Sequence, residues 1–341
     1  MAIPFTRAPA RFLSIADLDP DGVIELLEHA AALKAGRSPA TGGASLAGRS
    51  VALIFEKPSL RTRVSFEVGI ARLGGTPVVL QGEEVGLGSR ESARDVARTL
   101  ERYVDVIVAR VFDHALLEEL AGYAVVPVVN ALSDVEHPCQ ALADMLALRE
   151  HWGELAGRQL VYVGDGNNVA ASLLLACASV GMHLRVVSPV GYGPDELVVA
   201  RARGIGEATG SRIEIGQDPV AGVRGADAVY TDVWASMGQE AEAERRREVF
   251  RPYALTAQLL AQVPGALVMH CLPAHRGDEI SSDVLDGPMS IVFDQAEDRL
   301  WVQMAVLLRM LRPRRPGAAA NDPTQLPRSI GSRTTGRQAP G

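Results

Sequence analysis

The chemistry most legible in this chain lies in Ser59-Leu60-Arg61-Thr62-Arg63. The segment follows the apolar run VALIF (51–55) and opens a stretch with helical spacing. A helix N-terminus offers free N–H groups and the positive end of a dipole, so it favours an anion. Ser59 and Thr62 add hydroxyls, and Arg61 adds a planar fork that can grip phosphate through two parallel hydrogen bonds. By spacing alone, the same residues also make an ordinary capped helix with a solvated arginine. The pattern is not a Walker loop, so nucleotide binding is not implied. A second group, His270, Cys271 and His275, has the residue types of a metal site. Its spacing at a strand end does not make a closed tetrahedral set, and no metal is expected. A lone cysteine on a core strand is usually a small hydrophobe.

The elements that must position these residues follow from the hydrophobic pattern. Short apolar runs recur at 51–55, 77–80, 105–109 and 125–129, and again at 160–164, 184–188, 227–231, 266–270 and 290–293. Continuous apolar runs separated by helical stretches mark parallel strands covered on both faces. Two successive sets predict an α/β fold of two doubly wound parallel-sheet domains joined by bridging helices. Residues 59–73 read as a helix with Phe66, Ile70 and Leu73 on one face, stopped by Gly74-Gly75. Residues 91–104 form a second helix, with Val96, Leu100 and Tyr103 or Val104 together. Pro138 suits the first position of a helix over CQALADMLALREHW, which is expected to bridge the domains. A last helix is expected at 296–312 after a strand at 290–293. The domains are drawn at 1–145 and 146–312, with the last helix packing back on the first. Residues 313–341, rich in Pro, Gly, Ser, Thr and Arg, read as a disordered tail.

The chain has 341 residues, enough for two cores. Apolar residues make up 47% and charged residues 22%, a globular composition. The net charge of −7 and the lack of a long basic run argue against nucleic acid as the partner. Cys139, Cys177 and Cys271 form no CxxC pair, so no disulfide framework is indicated. With neither an apolar signal core nor a run of about 18 apolar residues, the expectation is a cytoplasmic protein that does not engage a membrane.

Ser-x-Arg-Thr-Arg after Phe55-Glu56-Lys57-Pro58 resembles the carbamoyl-phosphate signature of the aspartate and ornithine carbamoyltransferases. His137-Pro138-Cys139-Gln140 is similar to that family's His-Pro-x-Gln, and Arg110 to its second phosphate-side arginine. The resemblance extends to about residue 312. It implies that Ser59, Leu60, Arg61 and Thr62 cradle the phosphate, while Arg110, His137 and Gln140 surround the carbamoyl group. Fixed donors aimed at the carbonyl oxygen would lower the barrier to amine attack. Asp232-Val-Trp-Ala-Ser236-Met237-Gly238 resembles the Asp-x-x-x-Ser-Met-Gly loop of the ornithine enzymes. With His270-Cys271-Leu272-Pro273 and the segment ending at Arg299, it implies ornithine as the amine and citrulline as product. Asp232 and Ser236 would take the α-ammonium, and Asn168 and the Met237 N–H the α-carboxylate. Cys271 and the Leu272 carbonyl would meet the δ-amine, with Arg299 nearby. The resemblance further implies carbamoyl phosphate and L-ornithine as ligands, no cofactor, a role in arginine biosynthesis, and a homotrimer or a multiple of it.

Several positions depart from the family pattern. Leu60 stands for Thr, Gly86 for a Gln or His, Ala171 for Asn, Asp298 for Asn and Trp301 for His. Transferases acting on putrescine or acylated ornithine, and a silent paralogue, are the alternatives. A dinucleotide enzyme is a weaker rival. Gly164-Asp165-Gly166 follows a strand, but the third glycine position is Val169, and the next strand ends in Ser188 where an acid would be needed.

Overall fold

In the computed structural model, the residues described are 11–38, 45–235 and 242–311. The expected tail at 313–341 and the loop residues Ser236 and Met237 lie outside them. The strands are β1 (Arg11–Phe12), β2 (Ser50–Phe55), β3 (Thr76–Gln81), β4 (Val106–Arg110), β5 (Val128–Leu132), β6 (Gln159–Val163), β7 (His183–Val187), β8 (Ile213–Gly216), β9 (Ala228–Thr231) and β10 (Leu267–His270). They make two all-parallel sheets, ordered β1-β5-β4-β2-β3 and β10-β9-β6-β7-β8.

Nine described helices have eight residues or more: α1 (Pro20–Lys34), α2 (Leu60–Arg72), α3 (Ala93–Leu100), α4 (His114–Tyr123), α5 (Pro138–Trp152), α6 (Asn168–Ser179), α7 (Glu196–Thr209), α8 (Ala243–Phe250) and α9 (Val292–Leu311). One apolar cluster runs without interruption from Phe12 and Leu53 through Leu142 and Leu174 to Tyr230 and Met304. Smaller clusters cover the outer faces of the first sheet and the second. α6 is buried from Val169 to Ser179, as a helix apolar on every face must be. α9 packs on α5, α1 and α2.

The strand orders dictate where a ligand can sit. In the first sheet the chain winds outward from β2 to β3, then reverses so that β4 lies on the other side of β2. In the second it winds from β6 through β7 to β8, then reverses to place β9 beside β6. Crevices open at the carboxyl ends of strands where the winding reverses. Ser59 and Arg110 stand at the first reversal, and Asn168 and Asp232 at the second.

Four expectations need correction. The run at 290–293 is not a strand. Ser290 makes a single bridge to Val268, and the helix begins at Val292, four residues early. The run at 125–129 is shifted, because Pro127 has no N–H for the ladder and the strand starts at Val128. Helix α3 is confined to Ala93–Leu100, and Tyr103 is exposed. β1 and β8, unforeseen, are edge strands, and β8 has one buried residue in four.

Candidate active site

The two reversals face one cleft of about 570 Å³. On the first-sheet side, Ser59 caps α2, its hydroxyl accepting from the Thr62 N–H at 3.3 Å. Arg61, in the first turn of α2, lines the cleft, as does Leu60, whose side chain is 75% exposed. Thr62 is fully buried. Its Oγ1 accepts from Arg299 Nη2 at 2.6 Å and lies 3.5 Å from Arg110 Nη1. Arg299 comes from α9 and also donates through Nη1 to Gln140 Oε1 at 3.0 Å. Gln140 is therefore in the layer behind Arg299 and does not line the cleft itself.

Three guanidiniums thus converge, two of them buried. Burial, then the neighbouring Arg299 and Arg61, push Arg110 down to about 10. Burial depresses Arg61 and Arg299 as well. His137 stands at the N-cap of α5, before Pro138 at N1. Burial and the charges of Arg299, Arg110 and Arg61 hold its imidazole well below the usual range, so it is neutral. Arg110 Nε, Arg299 Nε and His137 Nδ1 are buried with no hydrogen-bond partner among the described residues. Orphaned buried polar groups carry a cost of about 1–3 kcal/mol each, so this face is built to receive acceptors.

The backbone of His137 is fixed from behind. Its N–H donates to Ser172 Oγ at 2.9 Å, and that hydroxyl donates to Glu136 Oε2 at 3.1 Å. The same carboxyl oxygen accepts from the Ile15 N–H at 3.2 Å. Burial pushes Glu136 up to about 7 despite these donors.

The second-sheet side is anionic and more fully paired. Asp232 follows β9, and its Oδ2 accepts from Asn167 Nδ2 at 2.7 Å. The Cys271 thiol donates to its Oδ1 at 2.9 Å. Burial and Asp232 hold that thiol well above its usual range, so it is no thiolate nucleophile. Leu272 follows with a left-handed φ of +56°, a strained setting for a leucine. Asn168, first residue of α6, donates through Nδ2 to the Ser133 carbonyl at 2.6 Å. Asp165 is engaged by Arg246, which also holds the Trp234 carbonyl and so anchors the loop after Asp232. Gly166 is required here, since a Cβ would sit 2.2 Å from the Pro194 nitrogen.

Asp232, His270 and Cys271 place ligand-type atoms within 4.8 Å of one another. Both His270 nitrogens are engaged, however: Nδ1 accepts from the Leu272 N–H, and Nε2 faces Glu279 at 3.1 Å. Both Asp232 oxygens are taken as well, so the trio does not fit a metal without losing these bonds.

Of the residues singled out from sequence, Ser59, Leu60, Arg61, Arg110, His137, Asn168, Asp232, Cys271, Leu272 and Arg299 line the one cleft. Thr62 and Gln140 lie directly behind it. Sequence reasoning missed Lys57, Asn167, Arg246 and the buried pair Asp144 and Gln295. Lys57 stood inside a quoted motif and could have been found there.

Two family profiles match the chain. The aspartate/ornithine carbamoyltransferase carbamoyl-P binding domain matches residues 10–150, and the Asp/Orn binding domain matches residues 156–310. The chain belongs to the aspartate/ornithine carbamoyltransferase family. It is 54% identical over 304 residues to the ornithine carbamoyltransferase of Acidothermus cellulolyticus, covering 88% of this chain and 96% of that one. The ornithine carbamoyltransferase structure from Pyrococcus furiosus superposes with a TM-score of 0.83 at 48% identity, covering 88% and 96% of the two chains. An N-acetyl-L-ornithine transcarbamylase mutant complexed with PALAO is more distant, at 32% identity, a TM-score of 0.80 and coverage of 88% and 99%.

Proposed function

We propose that this carbamoyltransferase moves the carbamoyl group of carbamoyl phosphate to the δ-amine of L-ornithine, giving L-citrulline and phosphate. The observation that carries the reading is the opposition across one cleft of three guanidiniums and a paired carboxylate, Asp232. The α2 N-terminus with Ser59, Leu60, Arg61 and Thr62 takes the phosphate. The amine lone pair forms the new C–N bond as the carbonyl π pair moves to oxygen. Arg110, the neutral His137 and the Thr62 hydroxyl donate to that oxyanion. Gln140 Oε1 keeps a second lone pair beside its bond to Arg299, and that lone pair accepts from the carbamoyl NH2. Collapse breaks the C–O bond to phosphate, which leaves with the electron pair, and the amine gives up a proton to it. Asp232 and Ser236 hold the α-ammonium, and Asn168 and the Met237 N–H hold the α-carboxylate. Cys271, the Leu272 carbonyl and Arg299 flank the δ-amine.

On this reading residues 1–145 bind carbamoyl phosphate and residues 146–312 bind ornithine. The chain works as a homotrimer or a multiple of it, in the cytoplasm, in arginine biosynthesis. The exposed stripe Leu60, Val64 and Val68 along α2 offers an apolar surface for self-association. A citrulline assay with an amine panel tests the chemistry. Citrulline should form from ornithine and carbamoyl phosphate, with putrescine and N-acetylornithine poorer acceptors by at least about 10²-fold in kcat/KM. A preference for either would overturn the choice of amine. No phosphate release with any amine would overturn the reaction.

A further inference from the structure

α5 carries a carboxylate that the mechanism above does not use. Asp144 lies one turn after Gln140 and has no solvent exposure. Its Oδ1 accepts from Gln140 Nε2 at 2.8 Å and from Gln295 Nε2 at 2.8 Å. An ionised carboxylate can only accept. Each amide must therefore turn its NH2 toward Asp144 and its oxygen away. For Gln140 the oxygen then faces Arg299, on the cleft side. For Gln295 the oxygen accepts from the His270 N–H at 3.0 Å, at the end of β10 and next to Cys271.

We propose that Asp144 is a positioning residue that sets both amides, so that Gln140 presents an acceptor to the carbamoyl NH2 and Gln295 fixes the end of β10. The two ends of a carboxamide are nearly the same shape, and each amide is clamped from both sides: Arg299 Nη1 and the His270 N–H, which can only donate, hold the oxygens, while Asp144 holds the NH2 groups. Asp144 supplies the acceptor half of both clamps. An acceptor at this position recognises an amide-type acyl phosphate, whereas an NH2 there would leave the carbamoyl NH2 facing a donor. Asp144, together with Arg299, therefore sets how well the site separates carbamoyl phosphate from acetyl phosphate, which has a methyl where the NH2 stands. The inference rests on the reading that Gln140 meets the carbamoyl group.

The test compares Asp144→Asn and Gln140→Ala with the parent, all as full chains. The readout is the ratio of the acetyl phosphate inhibition constant to the carbamoyl phosphate KM, with inorganic phosphate inhibition as control. An Asn at 144 replaces a charged acceptor by a neutral one, so the Gln140 NH2 is held less tightly and Arg299 is left as its firm partner. Asp144→Asn should lower the ratio on the order of tenfold, the worth of about one hydrogen bond, and leave phosphate inhibition within about twofold. Gln140→Ala should lower it by a similar factor. If Gln140→Ala lowers the ratio but Asp144→Asn does not, the role of Asp144 is wrong and the reading of Gln140 stands. If Gln140→Ala leaves the ratio unchanged, that reading fails and takes this inference with it. Should Asp144→Asn not fold, Asp144→Ala removes the same acceptor and is read by the same ratio.

Discussion

The two walls of the cleft are held in opposite ways. The first-sheet wall gathers Arg110 and Arg299 around one hydroxyl and one amide oxygen, with Arg61 lining the cleft beside them, and leaves Arg110 Nε, Arg299 Nε and His137 Nδ1 without partners among the described residues. The second-sheet wall is nearly complete in itself. Asp232 has both oxygens occupied, and Asp165 is closed by Arg246. One wall keeps unbalanced positive charge out of water and gains most when an anion arrives. The other already has a donor on each carboxylate oxygen and gains less from a new partner. Affinity for the phosphate ligand is therefore built into the folded state at a cost in stability, whereas the amine side offers a carboxylate that is already held in place. A site that gives up stability for function in this way should respond to mutation with activity and stability moving apart.

Arg110→Met breaks the comparison most directly. Arg110 has one marginal contact at 3.5 Å to Thr62, and burial beside Arg299 and Arg61 already disfavours its charge. Its removal should lower kcat by on the order of 10³-fold, the upper range for losing an oxyanion donor. The ligand-free protein should melt no lower than the parent. A fall in Tm together with activity would mean that the cluster supports the fold, and the contrast between the walls would be lost.

Glu136 sharpens the contrast through pH. Burial raises its carboxyl to about 7 in the folded protein, above its ordinary value of 4.5. The folded state thus keeps a proton that the unfolded chain releases between pH 4.5 and 7. The associated stability is fully present below that window and is lost as pH rises through it. At roughly 1.4 kcal/mol per pH unit, the loss is up to about 3 kcal/mol. Glu136→Gln keeps acceptors for Ser172 and Ile15 and has no proton to lose. Denaturant unfolding of the variant should show a flatter dependence between pH 5 and 8. The same slope in both proteins would place the titration elsewhere.

His137→Ala follows in size. It removes one neutral donor at the N-cap of α5 and leaves the guanidiniums in place. Turnover should fall on the order of 10²-fold, with the carbamoyl phosphate KM little changed, because the donor acts as the oxyanion forms. Unchanged kcat in the folded variant would remove His137 from the chemistry.

Much of this arrangement could be read before any coordinates, and the exceptions have physical causes. Ser59 to Thr62 were legible because their order after Phe55-Glu56-Lys57-Pro58 resembles a family signature; by spacing alone they fit an ordinary capped helix as well. Pro138 at N1 located the start of α5. Asp144 was not legible. One acid in a helix of alanines and leucines reads as its solvent face, yet α5 is buried on every side from Pro138 to Leu148. The alternation Ile213-Glu214-Ile215 was too short and too polar to announce the edge strand β8. Ile291 and Val292 looked like a strand because β-branched residues suit one. Here they seat the first turn of α9 against the second sheet, and that choice belongs to tertiary packing.

The smallest expected effect tests the second wall. Asp232 is the carboxylate that the ammonium of ornithine would meet, and its present partners are an amide NH2 and a protonated thiol. Asp232→Asn keeps the volume and removes the charge. Ornithine carries an α-ammonium and would lose a charged partner; N-acetylornithine carries none and has nothing to lose. The preference for ornithine over N-acetylornithine should therefore fall by about tenfold or more, since hydrogen bonds to charged groups are worth roughly 1.5–3 kcal/mol. Putrescine keeps an amine in the same place and lacks only the carboxylate. Its disadvantage against ornithine, set by donors such as Asn168, should persist. The carbamoyl phosphate KM should stay within about twofold, because the phosphate wall has its own scaffold in α2, α5 and α9. Steady-state kinetics with the three amines decides the matter. If the acetylornithine ratio holds while carbamoyl phosphate binding weakens, Asp232 serves the first wall and the division of labour across the cleft is wrong.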